Sequence, residues 1–303
     1  DLTSFSTQCG TVGGSCRYFS GAACVGTNVY FTPYDANQVG VYDTHLSGSA
    51  GFTTLKVLGM SGSSWNAIGA YGPGKYRGNG ILVGAQLLFV PYNTDRVGLV
   101  DTTRSTFTTQ PNIARPLTTL GYDTGSAHFW YGVAAGGKAI MAPRNEDDCH
   151  GIVNPDPLIC VTGDDNKAAY AGIAVVGDKV VFAPFSADHV AVLNVPTSVI
   201  TQYAHSEVGI SKWRGQGAVV GTRVYFAPWQ HAKILVFNTA DNVITKFAHT
   251  VSGGTAGFFT SANAFDTKGY FAPSVRKVIG VLDVAKPATP VFSTITTGGI
   301  EES

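Results

Sequence analysis

The chain has 303 residues, enough to bury a large core in one large or two ordinary domains. Lys plus Arg and Asp plus Glu number 20 each, so no global basic field exists to hold a nucleic-acid backbone, and no nucleic-acid partner is expected. No apolar run approaches the ~20 residues a helix needs to span a bilayer, and 37 glycines with 13% charged and 11% aromatic residues point to an all-β chain rich in turns.

Read from the N-terminus, one pattern recurs six times. It appears as "GTNVYFTPYDANQVGVYD" from Gly26, "GAQLLFVPYNTDRVGLVD" from Gly84 and "GGKAIMAPRNEDDCHGIVN" from Gly136. It returns as "GDKVVFAPFSADHVAVLN" from Gly177, "GTRVYFAPWQHAKILVFN" from Gly221 and, without the Gly, "DTKGYFAPSVRKVIGVLD" from Asp266. The copies align on Pro33, Pro91, Pro143, Pro184, Pro228 and Pro273. Each parses into a small-residue strand, a tight turn, a strand ending at the Pro, a polar loop, a third strand, and a last strand such as "VITQYAH". A Pro at a strand end costs little, because the N–H it lacks is not needed there. The Asp or Asn closing each third strand (Asp43, Asp101, Asn154, Asn194, Asn238, Asp283) reads as turn chemistry. "GMSGSSWNAIGAYGPG" and "NIARPLTTLGYDTGSAH" read as surface loops.

Four strands repeated six times predict an all-β six-bladed β-propeller, with four-stranded antiparallel blades around a central channel, as a single domain over residues 1–303. Residues 3–8, around "SFSTQ", match the last-strand runs "GFTTL", "TFTTQ" and "VFSTI". They are expected to add an N-terminal strand that closes the last blade. The aromatic-Gly opening followed by G-x-x-V-Y-F-A-P-Y-x-x-x-x-V-x-V-x-D resembles the repeats of NHL-like, YVTN-like and kelch-like propeller proteins over nearly the whole chain. That resemblance implies fold, not activity. Kelch's paired glycines and the Trp-Asp signature of Trp-Asp-repeat propellers are absent.

In such a propeller the lead-in to each first strand and the loop after each aligned Pro share one face. Two lead-ins, "KYRGNG" at 75–80 and "KWRGQG" at 212–217, share a skeleton in copies two and five, which stand opposite each other in a ring of six. Tyr76 and Trp213 read as blade packing. Arg77 and Arg214 align with Phe19, Tyr170 and Phe259, so the repeat does not demand Arg there. They are candidates to bind a carboxylate, sulfate or phosphate, together with Asn79 and Gln216, or else to cap carbonyls or pair with an Asp. After the Pro come Tyr34, Tyr92, Arg144, Phe185, Trp229 and Ser274. The aromatics suit stacking on a sugar face, or covering the blade ends. His150, His189 and His231, with Glu146, Asp147, Asp148 and Asp188 beside them, form a metal or acid–base set by residue type, but their spacing matches no metal motif and they read as solvated loop residues. His189 and His231 enter the ligand-binding set; no metal and no cofactor is expected. His205 and His249, at equivalent strand ends, read as structural.

The five cysteines are Cys9, Cys16, Cys24, Cys149 and Cys160. Their grouping suggests Cys149–Cys160 and a pairing of Cys9 with Cys16 or Cys24, hence an oxidising, extracellular setting; Cys24 lies in a first strand where a buried free thiol is ordinary. The opening "DLTSFSTQ", without Met, fits a chain matured by cleavage. The leading expectation is a secreted recognition propeller for a carbohydrate, peptide or anionic polymer at the channel mouth. Alternatives are a lyase or hydrolase of acidic sugars, with Tyr76 or His189 moving the proton, and a structural subunit of an extracellular assembly that forms homo-oligomers.

Overall fold

Alternating β-branched and aromatic residues build strands throughout the computed structural model. It describes residues 19–34, 36, 38–56, 74–94, 96–111, 129–143, 150–153, 159–161, 169–249, 251, 257–274, 278–286 and 289–296. The first meander is β1 (Phe19–Val25), β2 (Asn28–Pro33), β3 (Gln38–Asp43) and β4 (Phe52–Lys56). The second is β5 (Tyr76–Val83), β6 (Gln86–Pro91), β7 (Arg96–Asp101) and β8 (Thr106–Pro111), and the third β9 (Phe129–Ala135), β10 (Lys138–Pro143), β11 (His150–Val153) and β12 (Ile159–Val161). The fourth is β13 (Tyr170–Val176), β14 (Lys179–Pro184), β15 (His189–Asn194) and β16 (Val199–Ala204). β17 (Trp213–Val220), β18 (Arg223–Pro228), β19 (Lys233–Asn238) and β20 (Val243–Ala248) make the fifth, and β21 (Phe259–Phe265), β22 (Lys268–Pro273), β23 (Val278–Asp283) and β24 (Val291–Thr296) the sixth. Within each, strands pair antiparallel in sequence order, and a short parallel pairing of β13 with β17 joins the fourth and fifth into an eight-stranded sheet.

Local chemistry accounts for the strand ends. All six aligned prolines are the last residues of their second strands. The loops between first and second strands are two residues long and begin with a residue of positive φ, such as Gly26 (59°) and Gly221 (60°). The sixth copy uses Asp266 at 54°, one of the few residue types that tolerate this conformation. The acids closing third strands do make turn bonds. Asp101 Oδ1 accepts from Thr103 N at 2.9 Å and Thr103 Oγ1 at 2.6 Å, and Asn194, Asn238 and Asp283 accept from backbone N–H groups in the same way.

The chain divides into two compact units, Asp1–Met141 with His150–Cys160, and Ala142–Cys149 with Val161–Ser303. In each, the core lies between consecutive meanders, because a strand with apolar residues at every position buries both faces. In the first unit Leu87 and Phe89 of β6 pack with Tyr30, Val39 and Val41 of the first meander, while Leu88 and Val90 pack with Phe129, Ala139 and Met141 of the third. In the second unit Val224 and Phe226 of β18 pack with Val181, Val190 and Val192 of the fourth meander, while Tyr225 and Ala227 pack with Phe259, Phe271 and Leu282 of the sixth.

Cys24 is an exposed free thiol on β1, not a buried one. Residues 3–8, the two long surface loops, Arg144, Asn154, the acids of the "NEDD" loop, and the side chains of Cys9, Cys16, Cys149, Cys160 and His150 lie outside the described residues.

Candidate functional site

The two hexapeptides start β5 and β17, and the strand register sets what each residue does. Tyr76 pairs with Pro91 and Trp213 with Pro228, as Phe19 pairs with Pro33, Tyr170 with Pro184 and Phe259 with Pro273. The partners expected for the arginines therefore belong to Tyr76 and Trp213. Arg77 and Arg214 stand one position further on, level with Ser20, Ala171 and Thr260. The cause is a wider bulge. Between Arg77↔Val90 and Ile81↔Leu88 three residues of β5 face one of β6, and β17 repeats this between Arg214↔Ala227 and Ala218↔Tyr225. In β13 the corresponding irregularity places one residue against none. The bulge glycines, Gly78 (φ 75°) and Gly215 (φ 83°), take the left-handed conformation that an added Cβ disfavours.

The lysines of both hexapeptides are structural. Lys75 and Lys212 are buried, with Nζ donating to Ala36 O at 3.0 Å and to Gly209 O at 2.7 Å. Their backbones join a zigzag of hydrogen bonds. Lys75 N donates to Tyr34 O and Tyr92 N to Lys75 O; in the second unit Lys212 N donates to Phe185 O, Trp229 N to Lys212 O and Phe258 N to Trp229 O. Tyr34, Phe185 and Trp229 are thereby held against the lead-in of the next meander. The Tyr34 ring covers Gly74, and the Trp229 ring lies so close to Gly257 that a Cβ there would collide with it. Tyr76 and Trp213 are wholly buried, as blade packing requires, and Trp213 Nε1 donates to Lys233 O at 2.8 Å.

The arginines differ from each other. Arg77 is half-buried, with its Cζ 4.9 Å from the centroids of both Tyr92 and Trp130. The rings of Tyr34 and Tyr92 lie 6.1 Å apart and are inclined at 34°. Three consecutive meanders thus contribute to one row, Tyr34–Tyr92–Arg77–Trp130, with exposed Asn79 on the bulge beside it. Trp130 is missing from the sequence-based candidates; its only signal there is the run of three aromatics in "FWYGVA", which reads as packing. Arg214 is 8% exposed, with its Cζ 4.1 Å from the Trp229 ring, so it is a packed cation rather than a presented one. Gln216 is half-buried opposite Ile173 in the parallel pair.

His189 and His231 are not solvated. His189 is buried, its Nδ1 2.7 Å from Asp188 Oδ1 and its Nε2 sealed from solvent, because it sits edge-on against Tyr170 at the start of β15. Tyr76 and His189 are therefore both closed off from any ligand, and neither is placed to move a proton on one. His231 stacks on Trp213 at 4.7 Å and holds Glu207 Oε2 at 3.1 Å through Nε2. Glu207 Oε1 also receives Lys233 Nζ at 2.9 Å and Lys246 Nζ at 3.1 Å. This cluster ties the β16–β17 loop to the fifth meander. His205 and His249 do serve strand ends: His205 Nδ1 accepts from Glu207 N at 3.2 Å, and His249 Nε2 lies 3.0 Å from His231 O. Among the described residues no group of three or more His, Cys, Asp or Glu is placed to hold a metal ion.

The Lys233 hydrogen bond, helped by Lys246 and His231, holds Glu207 down from 4.5 to about 2. Burial, with Lys212 and Lys246 nearby, pushes His205 down from 6.5 to about 4. Both folded values lie below the ordinary ones, so the folded chain binds fewer protons and loses stability as pH falls. The His205 contribution is complete above 6.5 and is lost toward about 4; that of Glu207 is complete above 4.5 and is lost toward about 2. Thermal melts taken down through this range should show a progressive fall in Tm, with Glu207→Gln flattening the limb below 4.5. Parallel curves for the two proteins below that pH would show that the cluster contributes nothing.

No family model matches the chain, and no curated protein matches it. Solved structures do. Virginiamycin B lyase from Staphylococcus aureus superposes with a TM-score of 0.67 at 14% identity, over 91% of this chain and 83% of that one. U3-55K gives 0.62 at 7% identity, over 91% and 80%, and Kuenenia stuttgartiensis hydrazine synthase 0.59 at 10% identity, over 93% and 81%. These neighbours are β-propeller proteins. At such identities the likeness is of fold alone: it supports a propeller fold, while activity must be argued from the side chains.

Proposed function

We propose that the chain is a secreted, non-catalytic recognition propeller. It forms one domain over residues 1–303, with six four-stranded blades around a central channel and residues 3–8 closing the last blade. Disulfides Cys149–Cys160 and Cys9–Cys16 suit the extracellular setting, and the ligand is a carbohydrate, peptide or anionic polymer bound at the channel mouth.

One observation carries this reading. The Arg77 side chain has aromatic rings against it, makes no hydrogen bond or ion pair with any described residue, and keeps access to solvent. A guanidinium stacked on rings keeps its N–H donors in plane at the edge, the arrangement that receives an oxyanion through two parallel bonds. Arg214, buried against Trp229, supports the fold of the fifth meander instead. Immobilised carboxylated, sulfated and acidic-peptide polymers should capture the protein. Arg77→Gln should weaken the best of these roughly tenfold or more without shifting Tm, the scale of one charged hydrogen bond. Arg214→Gln should instead lower Tm. Wild-type affinity in Arg77→Gln for every captured polymer would remove the reading.

A further inference from the structure

The loop joining β16 to β17 turns apolar side chains outward and polar ones inward. We infer that this loop docks on an anionic phospholipid surface, with Val208 and Ile210 entering the headgroup layer and the lysines at its base meeting the lipid charge. The inference concerns a different part of the chain from Arg77 and does not depend on the recognition reading above.

Val208 is 91% exposed and Ile210 68%, and Val208 is the most exposed large apolar residue among the described residues. Between them Gly209 takes φ 105°, and Ser211 beyond them takes φ 59°. Loops ordinarily show water their polar groups, and here those groups are engaged underneath. Glu207 accepts from Lys233 Nζ at 2.9 Å and Lys246 Nζ at 3.1 Å, and lies 3.1 Å from His231 Nε2. Lys246 Nζ also donates to Ser206 Oγ at 3.1 Å, and Glu207 N donates to His205 Nδ1 at 3.2 Å. Lys212 Nζ donates to Gly209 O at 2.7 Å, and Gln230 N to Ser211 O at 3.1 Å. The loop is held on both sides of its tip, so presenting two aliphatic side chains costs little further ordering on binding.

Two arguments select the partner. The first is shape and area. Val208 and Ile210 make a projecting point, and two side chains fall well short of the ~800 Å² per partner that a stable protein interface buries. A fluid headgroup layer closes around such a point without needing a matching recess. The second is charge. The ionic groups that meet the loop are Lys212, Lys233 and Lys246 against Glu207 and Asp188, three cations to two carboxylates. Lys233 remains 45% exposed at the base of the tip. Apolar residues in front with lysines behind them match the layering of an anionic bilayer, whose phosphates lie outside its acyl chains.

The test is co-sedimentation of the full chain with vesicles of phosphatidylcholine alone and of phosphatidylcholine mixed with phosphatidylserine, at low and at physiological salt. The mixed vesicles should carry down more protein, and part of the binding should survive salt, because the apolar contribution is not screened. Val208→Ser and Ile210→Ser should each weaken the partition roughly tenfold, and the double variant should abolish it. Val208→Leu and Ile210→Leu keep the apolar surface and should bind as the wild type does. Both side chains are exposed, so none of these variants should shift Tm. No sedimentation with either vesicle would overturn the inference, as would a double serine variant that sediments like the wild type. Sedimentation that physiological salt abolishes would reduce the contact to charge and overturn the role of the tip. Sedimentation velocity without lipid covers a protein partner: self-association of the wild type that the double variant loses would assign the tip to a second copy of the chain and overturn the lipid inference.

Discussion

Trp213→Ala should destabilise the protein by about 3–5 kcal/mol, the range for removing a large aromatic from a packed core. Trp213 is wholly buried and packs with Ala174, Val181, Ala183, Val190 and Val192 of the fourth meander. Its ring also meets His205 edge-on at 5.4 Å and His231 at 4.7 Å, and its Nε1 donates to Lys233 O. Truncation removes the filler between two meanders, orphans that carbonyl, and leaves both histidines without the surface that orients them. Trp213→Phe should cost less, because the ring contacts persist in part. Denaturant titration is the measurement, and a loss under about 1 kcal/mol for the alanine variant would mean that the two sheets close over the gap.

Gly215→Ala should cost about 3 kcal/mol, which combines about 1–2 kcal/mol for a left-handed alanine with an overpacking term of similar size. Gly215 has φ 83°, and a Cβ there would collide with the carbonyl oxygen of Thr260 on the neighbouring β21. Gly221 is the internal control: its φ is 60°, yet nothing lies within 4 Å of the same added atom. Gly221→Ala should therefore show the backbone cost alone, about 1–2 kcal/mol. Equal losses for the two variants would show that the bulge shifts to accept the methyl group and that its close approach to β21 is not a constraint.

These two residues belong to one hexapeptide, and they show where reading the letters fails. "KYRGNG" and "KWRGQG" look like a repeated binding motif. Register turns both glycines and the carboxamide between them into a wide bulge of the second and fifth meanders, and Lys and the aromatic into buried residues that precede it. A bulge changes the pairing count without leaving a mark in composition, so matching the lead-ins by letters displaced the arginines by one position. The two arginines are also indistinguishable in sequence. One has rings of two successive meanders against it and stays half-exposed, while the other is buried under Trp229. Trp130 and Glu207 were invisible as site residues because their partners come from other meanders or from a loop: Trp130 meets Arg77 of β5, and Glu207 reaches Lys233 and Lys246. His189 went from a solvated residue to a buried one for the same reason, since its exposure depends on Tyr170, nineteen positions earlier.

The sequence by itself determined the six copies, the strand in each, the Pro at every second-strand end and the acid or amide at every third. These follow from period-2 alternation, missing N–H groups and side-chain bonds to nearby backbone, all of them interactions between residues close in the chain. Tertiary structure alone decided which polar side chains are buried and which are presented. Burial of Lys212 and Arg214 and the partial exposure of Arg77 are set by how one meander lies on the next, and that packing joins residues tens of positions apart through contacts that no local pattern encodes.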